Sequence, residues 1–337
     1  MNEHDTLAMM GIVKAPNLDL LQYFFRLRDR WVLPQAIASD LGGSSEDIHR
    51  ATEELLREGY GIEYHPSFGY RFRPADDSLD PHRLREGLDT TLIGSEVHCL
   101  LEVSSTMDSA WALHEEGRPS GAAVLAERQR KGRGRFGRPW ESPRGGGIWM
   151  SIILKGEDVP IPPSLLTVAS TIAVVEAVAE ESGLPSRIRW PNDIVIRDKK
   201  VGGILIEMRQ QGAKPAPVVI GVGLNVSIRP EELPESLKAI ATSITAEGGK
   251  GASRPDLIRA VLRSLDNWIR RTLGGDSHQL KTRWRDLCGN LGKRVALLRN
   301  KERFEGVVVD CDPIRGLVLD LGAGVVRAFP AEQVTVL

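Results

Sequence analysis

Residues 131 to 140 read KGRGRFGRPW and place four cationic side chains among three glycines. The cations are Lys131, Arg133, Arg135 and Arg138, and the stretch ends at Trp140. Like charges this close repel one another unless an anion lies between them, so the stretch favours phosphate binding. Because glycine loses more conformational entropy on folding than other residues, we expect a loop that is mobile until it orders around its ligand.

The same stretch contains the pattern G-x-G-x-x-G, which other kinds of protein share. A dinucleotide-binding fold needs an apolar strand before the first glycine and a helix after the last, but ERQRK precedes the pattern and RPWESPRGGG follows it. A disordered RNA-binding tail would repeat the motif, and this one is embedded in a globular pattern. Taken alone, the loop is either a phosphate site or a solvated basic surface.

A second polar cluster, RWPND, lies at residues 189 to 193, where the predicted strand RIRW ends. Proline stiffens the chain there, so Asn192 and Asp193 should be held at a strand end, a common place for binding residues. The dipeptide Asn-Asp also favours a tight turn, and that alternative stays open for the pair alone.

Two glycine-containing strands follow this cluster. In KKVGGILIE, residues 199 to 207, the double glycine indicates that another group approaches the backbone closely beside Lys200. In GVGLNVS, residues 221 to 227, the amide of Asn225 could hydrogen-bond the edge of a base or a carboxamide. A bulged core strand is the alternative for the second segment, and by itself it explains that segment better.

The whole chain restricts the class of protein further. Its 337 residues suffice for two or three domains, and a net charge of -1 gives no overall field toward nucleic acid or a membrane. The three cysteines, Cys99, Cys288 and Cys311, are far apart in sequence, which predicts no disulfide framework or zinc site and fits a reducing cytoplasm. Residues 1 to 16 lack the pattern of a signal peptide, and the most apolar segment, from Ser164, is interrupted by polar residues as in a buried core helix.

The hydrophobic pattern divides the chain into three predicted domains. Residues 1 to 80 form a winged helix-turn-helix domain, in which LPQAIASDLG and SSEDIHRATEELLREG are helices and GIEYHPSFGYRFRP is the wing. Residues 81 to 275 alternate strands and helices, and Ser253 caps the last helix. Residues 288 to 337 have strand patterning whose spacing predicts a small closed β-barrel.

The helix that would enter a DNA groove is acidic. It carries two arginines, Arg50 and Arg57, against five carboxylates, Glu46, Asp47, Glu53, Glu54 and Glu58. Phosphate would repel such a helix, and only the wing residues Arg71 and Arg73 offset its charge. Binding of operator DNA is therefore less strongly expected than a winged helix alone would indicate.

Five segments occur in the order and approximate spacing of one known family. They are VSSTMDSA at residues 103 to 110, ERQRKGRGRFGRPW at 127 to 140, RWPNDI at 189 to 194, KKVGGILIE and GVGLNVS. Together they resemble biotin protein ligases, the biotin-[acetyl-CoA-carboxylase] ligases, and the predicted terminal domains resemble those of the bifunctional ligase/repressor type. The resemblance implies an α+β fold, with a catalytic domain like that of class II aminoacyl-tRNA synthetases, an N-terminal winged helix and a C-terminal SH3-like β-barrel.

The resemblance also implies a two-step reaction that uses biotin and MgATP. The biotin carboxylate attacks the α-phosphate of ATP, which gives biotinyl-5'-adenylate and pyrophosphate, and a lysine of a biotin carboxyl carrier domain then attacks the activated acyl group. Bringing a carboxylate to a triphosphate opposes like charges, so cations must gather at the reacting centre. The glycine loop would then close over the mixed anhydride and keep water away from it.

Roles for individual residues follow from the same resemblance. The implied catalytic residues are Arg133, Arg135 and Arg189. The implied biotin site comprises Ser105, Thr106, Met107, Gln129, Arg133, Gly134, Arg135, Arg189 and Gly203. The implied nucleotide site comprises Arg135, Arg138, Trp140, Asn192, Lys200 and Asn225, with Asp193 near the magnesium ion.

Two residues depart from the motifs of the family. Its K-W-P-N-D string begins with lysine where this chain has Arg189, and because arginine is longer and planar the exchange puts the rate of adenylation in doubt. Met107 stands where the family usually has asparagine, which costs a hydrogen bond near the ureido ring of biotin but keeps a packing contact.

Two alternatives share parts of this pattern. A lipoate ligase has the same chemistry but lacks the GRGRxGRxW string, and a non-catalytic biotin-sensing regulator would use Arg189 to hold its ligand without turnover. Binding of biotin without release of pyrophosphate would indicate the regulator. The edge strands of such a sheet pair easily, which is compatible with a homodimer.

If the N-terminal domain represses transcription, the protein should retard a fragment of its own promoter in a mobility-shift experiment with biotin and ATP. The double substitution Arg71→Ala with Arg73→Ala removes the two cations that offset the acidic helix, so the shift should vanish. No shift by the unaltered protein at low salt would exclude repression at that promoter.

Overall fold

The computed structural model describes residues 18–27, 29–57, 60–73, 77–210, 215–249 and 253–336. These residues fall into two compact units that divide after Ser78. The segment tested for a signal peptide, residues 1 to 16, lies outside the described residues, as does Glu58 at the end of the predicted acidic helix.

The first unit combines helices with a three-stranded antiparallel sheet of order β1-β3-β2. Its elements are α1 (Leu18–Arg26), β1 (Trp31–Val32), α2 (Pro34–Leu41), α3 (Ser45–Arg57), β2 (Ile62–His65) and β3 (Gly69–Phe72). A serine precedes α3 and caps it, since Oγ of Ser44 accepts from the N–H of Asp47 at 3.2 Å. Strand β1 was not predicted, because two residues are too short to show a periodic pattern.

Carboxylates engage both wing arginines of this unit. Arg71 forms an ion pair with Glu63, and its guanidinium lies 4.4 Å from the ring centroid of Trp31. Nε of Arg73 lies 3.6 Å from Glu63 and 3.7 Å from Asp29. The positive charge that this wing offers to phosphate is therefore smaller than the sequence indicates.

The second unit is built on a mixed sheet of seven strands in the order β4-β5-β6-β10-β9-β8-β7. The strands are β4 (Val97–Val103), β5 (Ala123–Gln129), β6 (Gly147–Leu154), β7 (Ser186–Arg189), β8 (Asp193–Ile196), β9 (Lys199–Met208) and β10 (Val218–Asn225). Strands β4 and β5 are parallel, and the other neighbours are antiparallel. Of these strands, only edge strand β4 was not predicted, because its central residues are all partly exposed and show no alternation.

Two long helices of this unit, α6 and α8, pack on each other. The helices are α4 (Pro81–Arg85), α5 (Thr106–Glu115), α6 (Pro163–Ser182), α7 (Glu235–Lys238), α8 (Arg254–Leu273) and α9 (Ser277–Leu287). Helix α6 is long and apolar enough to cross a membrane by length and composition, but 61% of that window is buried inside the protein. It is the core helix predicted from Ser164. The predicted cap of α8 is also present, because Oγ of Ser253 accepts from the N–H of Asp256 at 3.3 Å.

The C-terminal part of this unit is an antiparallel sheet of order β14-β13-β12-β11-β15. Its strands are β11 (Arg294–Arg299), β12 (Glu302–Asp312), β13 (Gly316–Asp320), β14 (Val326–Phe329) and β15 (Thr335–Val336). Within residues 253–336 no pairing of β14 with β15 closes this sheet into the predicted barrel. The fold also makes neighbours of Cys288 and Cys311, two free thiols that are distant in sequence.

A buried ion pair joins β5 to the start of α8. The side chains of Arg254 and Glu127 are 3% and 8% exposed, with Nη1–Oε2 and Nη2–Oε1 distances of 2.7 and 3.1 Å. Glu127 also accepts from the N–H of Leu79 at 2.8 Å. Strand β5 ends at Gln129, just before the loop at residues 131 to 140. The ion pair between Arg254 and Glu127 therefore fixes the end of the strand that leads into this loop.

Substitution Glu127→Gln should lower the free energy of unfolding by roughly 3–5 kcal/mol, because it removes the buried carboxylate that pairs with the guanidinium of Arg254. Urea unfolding measures this loss. The matched control is Glu102→Gln, which breaks the exposed pair with Arg128 at 3.2 Å and should cost less than about 1 kcal/mol. Equal losses for the two substitutions would contradict the importance of the buried pair.

Candidate functional site

A cavity of about 550 Å³ lies against strands β6, β9 and β10 of the large sheet. All fifteen residues predicted for the site line it. They are Ser105, Thr106, Met107, Gln129, Arg133, Gly134, Arg135, Arg138, Trp140, Arg189, Asn192, Asp193, Lys200, Gly203 and Asn225. A cavity of this volume holds a small-molecule ligand. The structure thus brings the predicted residues to one place, while their individual roles remain predictions.

The loop at residues 131 to 140 is a hydrogen-bonded hairpin. The N–H of Gly134 donates to the carbonyl of Arg138 at 2.8 Å, and the N–H of Trp140 donates to the carbonyl of Gly132 at 2.9 Å. A Cβ on Gly132 would lie 2.5 Å from the carbonyl oxygen of Trp140. The glycine therefore serves the close approach of the two arms, a use that the sequence analysis did not predict.

Two carboxylates hold the first arginine of the loop. Nε and Nη2 of Arg133 donate to the two oxygens of Glu207 at 2.7 and 3.1 Å, and its Nη1 lies 2.9 Å from Oδ1 of Asp108. The hydrogen bonds that Arg133 donates to Glu207 raise the pKa of Arg133. Burial acts to raise the pKa of the Glu207 carboxyl, but the hydrogen bonds and charge of Arg133 outweigh it, so that this pKa is lowered. Arg133 is therefore already neutralised by the protein.

The second and third arginines differ from the first. Nη2 of Arg135 donates to the carbonyl of Ala331 at 2.9 Å, and its Nη1 lies 3.4 Å from the amide oxygen of Asn192. In the part of the chain that the structure describes, neither Arg135 nor the exposed Arg138 forms an ion pair. Burial lowers the pKa of the Arg135 guanidinium, although arginine stays protonated at any physiological pH. These two cations are free to meet an anion in the cavity.

Asp193 links the two remaining cations of the site. Its Oδ2 lies 3.0 Å from Nη2 of Arg189, and its Oδ1 lies 2.6 Å from Nζ of Lys200. Lys200 also lies 5.1 Å from the ring centroid of Trp140. The arginine that stands where the family motif has lysine thus forms an ion pair with Asp193.

The donor set around Asp193 fits magnesium only in part. Magnesium prefers oxygen ligands and is usually held by one or two carboxylates together with nucleotide phosphates. Asp193 and the amide of Asn192 offer such oxygens, but both oxygens of Asp193 already meet cations. Within the described residues, no group of three or more His, Cys, Asp or Glu side chains could hold a metal ion. These donors fit an ion carried mainly by a triphosphate.

The residues of RWPND form the turn between β7 and β8. Residues 190 to 192 make this turn, and the peptide bond between Trp190 and Pro191 is cis. Nδ2 of Asn192 donates to the carbonyl of Ile204 at 2.6 Å, which fixes the turn to β9. The tight turn considered for Asn-Asp is therefore present, and the same turn lines the cavity.

A network of hydrogen bonds joins the start of α5 to the end of β5. Thr106 donates from its N–H and its hydroxyl to the amide oxygen of Gln129 at 2.9 and 3.0 Å. Its hydroxyl also lies 2.8 Å from Oγ of Ser151, and the amide nitrogen of Gln129 donates to Oγ of Ser142 at 2.9 Å. Ser105 caps α5. The sequence analysis missed both Ser142 and Ser151, because a single serine in a strand or loop carries no motif.

Two glycines of β10 make room for side chains of the site. A Cβ on Gly221 would lie 2.7 Å from Sδ of Met107, and a Cβ on Gly223 would lie 2.7 Å from Cε2 of Trp140. The G-x-G spacing puts both glycines on one face of the strand, a signal that could have identified them. The alternative of a bulged core strand is wrong, since β10 pairs with both neighbours without a register shift.

The C-terminal sheet also reaches the cavity, which the sequence analysis did not predict. Val334, Thr335 and Val336 line the cavity, and the carbonyl of Ala331 accepts from Arg135. Aliphatic residues and a backbone carbonyl show no pattern in the sequence, so only the fold reveals this contribution.

Comparison with known proteins agrees with this geometry. Residues 101–225 match the model of the biotin/lipoate A/B protein ligase family. The bifunctional ligase/repressor BirA of Bacillus subtilis is 32% identical over 93% of this chain and 97% of its own length. The biotin--[acetyl-CoA-carboxylase] ligase of Mycobacterium tuberculosis is 31% identical over 77% of this chain and 97% of its own length.

A solved structure gives the same relationship. The biotin protein ligase from Aquifex aeolicus, in complex with biotin and ATP, superposes with a TM-score of 0.63 and 28% sequence identity. The alignment covers 72% of this chain and 98% of that one. The mixed α+β fold with its large sheet is therefore that of a biotin protein ligase, and the chain belongs to the biotin protein ligase family.

Proposed function

We propose that this enzyme joins biotin to a lysine of a biotin carboxyl carrier protein in two steps within the cavity. In the first step, a carboxylate oxygen of biotin bonds to the α-phosphorus of ATP while the bond to pyrophosphate breaks. In the second, the neutral amine of the carrier lysine attacks the acyl carbon, and AMP leaves. The observation that carries this proposal is the half-buried guanidinium of Arg135, which forms no ion pair among the described residues.

Arg135 and Arg138 are the cations that we assign to the reacting phosphate. A cation in a partly desolvated site attracts an anion more strongly than it does in water, and it is already in position when charge develops. We keep Arg189 at the biotin carboxylate, where its ion pair with Asp193 would orient it. Arg133 has the weakest support as a direct ligand, because Glu207 and Asp108 neutralise it.

The biotin end is proposed to lie at the start of α5. Gln129 keeps one amide N–H beyond the bond to Ser142, and the hydroxyl of Ser105 keeps its proton, so both can donate to a ureido carbonyl. Met107 supplies an apolar wall, and Gly134 and Gly203 leave space along the chain of the ligand.

The nucleotide end is proposed to lie at Trp140, whose ring can stack on adenine. Nε1 of Trp140 is buried without a hydrogen-bond partner, so it keeps a donor for a ligand. Asn225 donates to the carbonyl of Thr242 at 3.0 Å, which leaves its amide oxygen as an acceptor. Lys200, Asn192 and Asp193 would face the phosphates, where a magnesium ion supplies further positive charge when it is bound.

Domain structure, location and partners complete the proposal. We propose a winged helix at residues 1 to 80, a catalytic domain of the class II synthetase type at 81 to 275 and an SH3-like domain at 288 to 337. The relative from Bacillus subtilis is named a ligase/repressor, so operator DNA is a further candidate partner. Because carboxylates pair with both wing arginines, operator DNA is a weaker candidate partner than the biotin carboxyl carrier protein. We also propose a cytoplasmic enzyme that can form a homodimer.

The direct test of this function is biotin-dependent exchange of labelled pyrophosphate into ATP by the purified protein. Exchange should require biotin and ignore lipoate, and Arg135→Ala should reduce it by at least about a hundredfold, since it removes a cation at the reacting phosphate. Arg189→Lys restores the lysine of the family motif and should retain exchange. Absence of exchange by the natural protein, with recovery in Arg189→Lys, would instead favour the biotin-sensing regulator.

The packing of Trp140 over Gly223 makes a separate prediction. Substitution Gly223→Ala places a methyl group 2.7 Å from the indole, so the ring must shift and ATP should bind about tenfold more weakly. Calorimetric titration with ATP measures the change, and biotin affinity should stay constant. The control is Gly274→Ala after helix α8, where the nearest atoms to a new Cβ lie at 3.5 Å. Unchanged ATP affinity in Gly223→Ala would contradict the proposed adenine position.

A further inference from the structure

The ion pairs of Arg133 lie beside the cavity and not inside it. Arg133 itself lines the cavity, whereas its carboxylate partners Glu207 and Asp108 do not. Glu207 is on β9 and Asp108 is in the first turn of α5, so two separate elements converge on one guanidinium. A residue that does not reach the cavity can influence a ligand there only through a neighbour that does.

Glu207 is built to fix the orientation of Arg133. One of its oxygens accepts from Nε of Arg133, and the other accepts from Nη2 at 3.1 Å and from the indole N–H of Trp111 at 3.3 Å. Such a two-point contact between a guanidinium and a carboxylate sets direction as well as distance. The guanidinium of Arg209 lies 4.3 Å from the ring centroid of Trp111 and supports the indole from outside.

Arg133 in turn fixes the base of the loop hairpin. It pairs with Pro139 across the two arms, while the tip is held elsewhere, by the hydrogen bonds of Arg135 to Ala331 and Asn192. The base and the tip therefore have independent attachments. If the base were freed, the tip would still be held by the hydrogen bonds that Arg135 donates to Ala331 and Asn192, but by no ion pair with a carboxylate.

We propose that Glu207, assisted by Asp108, is a positioning residue that acts through Arg133 to keep the loop over the bound adenylate. This inference rests on the proposed function. It assigns Arg133 to the anchoring of the loop and leaves Arg135 and Arg138 for the phosphate. Loss of the Glu207 charge should let the loop open more often, so that biotinyl-5'-adenylate escapes before a carrier lysine reaches it.

The test measures how fast the intermediate leaves. The protein is incubated with labelled biotin and MgATP, the adenylate complex is isolated, and its dissociation is followed after addition of excess unlabelled biotin and ATP. Glu207→Gln should release the adenylate about tenfold faster, because a hydrogen bond between charged partners is lost. Pyrophosphate exchange should persist in this variant, since Arg135 and Arg138 are intact.

Glu176→Gln is a closely matched control. Glu176 accepts from Nε of Arg283 and from the indole N–H of Trp268, as Glu207 does from Arg133 and Trp111. It does not line the cavity. The Glu176→Gln variant should release the adenylate at the same rate as the natural protein. Equal acceleration in both variants would mean that general destabilisation causes the effect and would overturn the proposal.

A double substitution shows whether Glu207 acts through Arg133. Release from Glu207→Gln combined with Arg133→Ala should be no faster than from Arg133→Ala alone. Multiplied effects, or an unchanged rate in Glu207→Gln, would refute the inference and leave the proposed function intact. A natural protein that forms no adenylate would refute both.

Discussion

A half-buried guanidinium that forms no ion pair among the described residues is the constraint on which this site depends. Arg135 has lost part of its hydration. Within the described residues a backbone carbonyl, a side-chain amide oxygen and the ring of Phe136 contact it, and Glu332 and Asp193 attract its charge without forming an ion pair. Desolvating a charge without pairing it costs free energy, which the rest of the fold must offset. A ligand that brings a negative charge to this point recovers that cost. Selection of an anionic ligand thus follows from the charge balance around Arg135.

The loop shows that neighbouring cations of one sequence motif can have different tasks. Arg133 is neutralised by two carboxylates and anchors the backbone, while Arg135 and Arg138 form no ion pair in the described part of the chain. The network around Asp193 is a second example, because one carboxylate orients Arg189 and Lys200 together. In the proposed function, ion pairs thus anchor Arg133 and orient Arg189 and Lys200, while Arg135 and Arg138 carry charge that no ion pair within the described residues offsets.

The sequence predicted most of the large sheet, since buried strands of alternating or continuous apolar residues are separated by clear turns. It also predicted which residues line the cavity, because the motifs that resemble the family mark those positions. It could not predict the partners of Arg133, since Glu207 and Asp108 are ordinary charged residues until the fold brings them together. The contribution of the C-terminal sheet and the neighbouring thiols of Cys288 and Cys311 were hidden for the same reason. Long-range contacts between residues without a motif require the three-dimensional structure.

In the proposed function Arg135 binds the phosphate of the adenylate, and a binding measurement can test this role. Calorimetry should compare a stable analogue of biotinyl-5'-adenylate that keeps the phosphate charge with one in which a neutral linker replaces the phosphate. The natural protein should prefer the charged analogue by at least about tenfold, and Arg135→Gln should lose most of that preference. An equal preference in the natural protein and Arg135→Gln would contradict the account, because the phosphate would then be recognised by other groups.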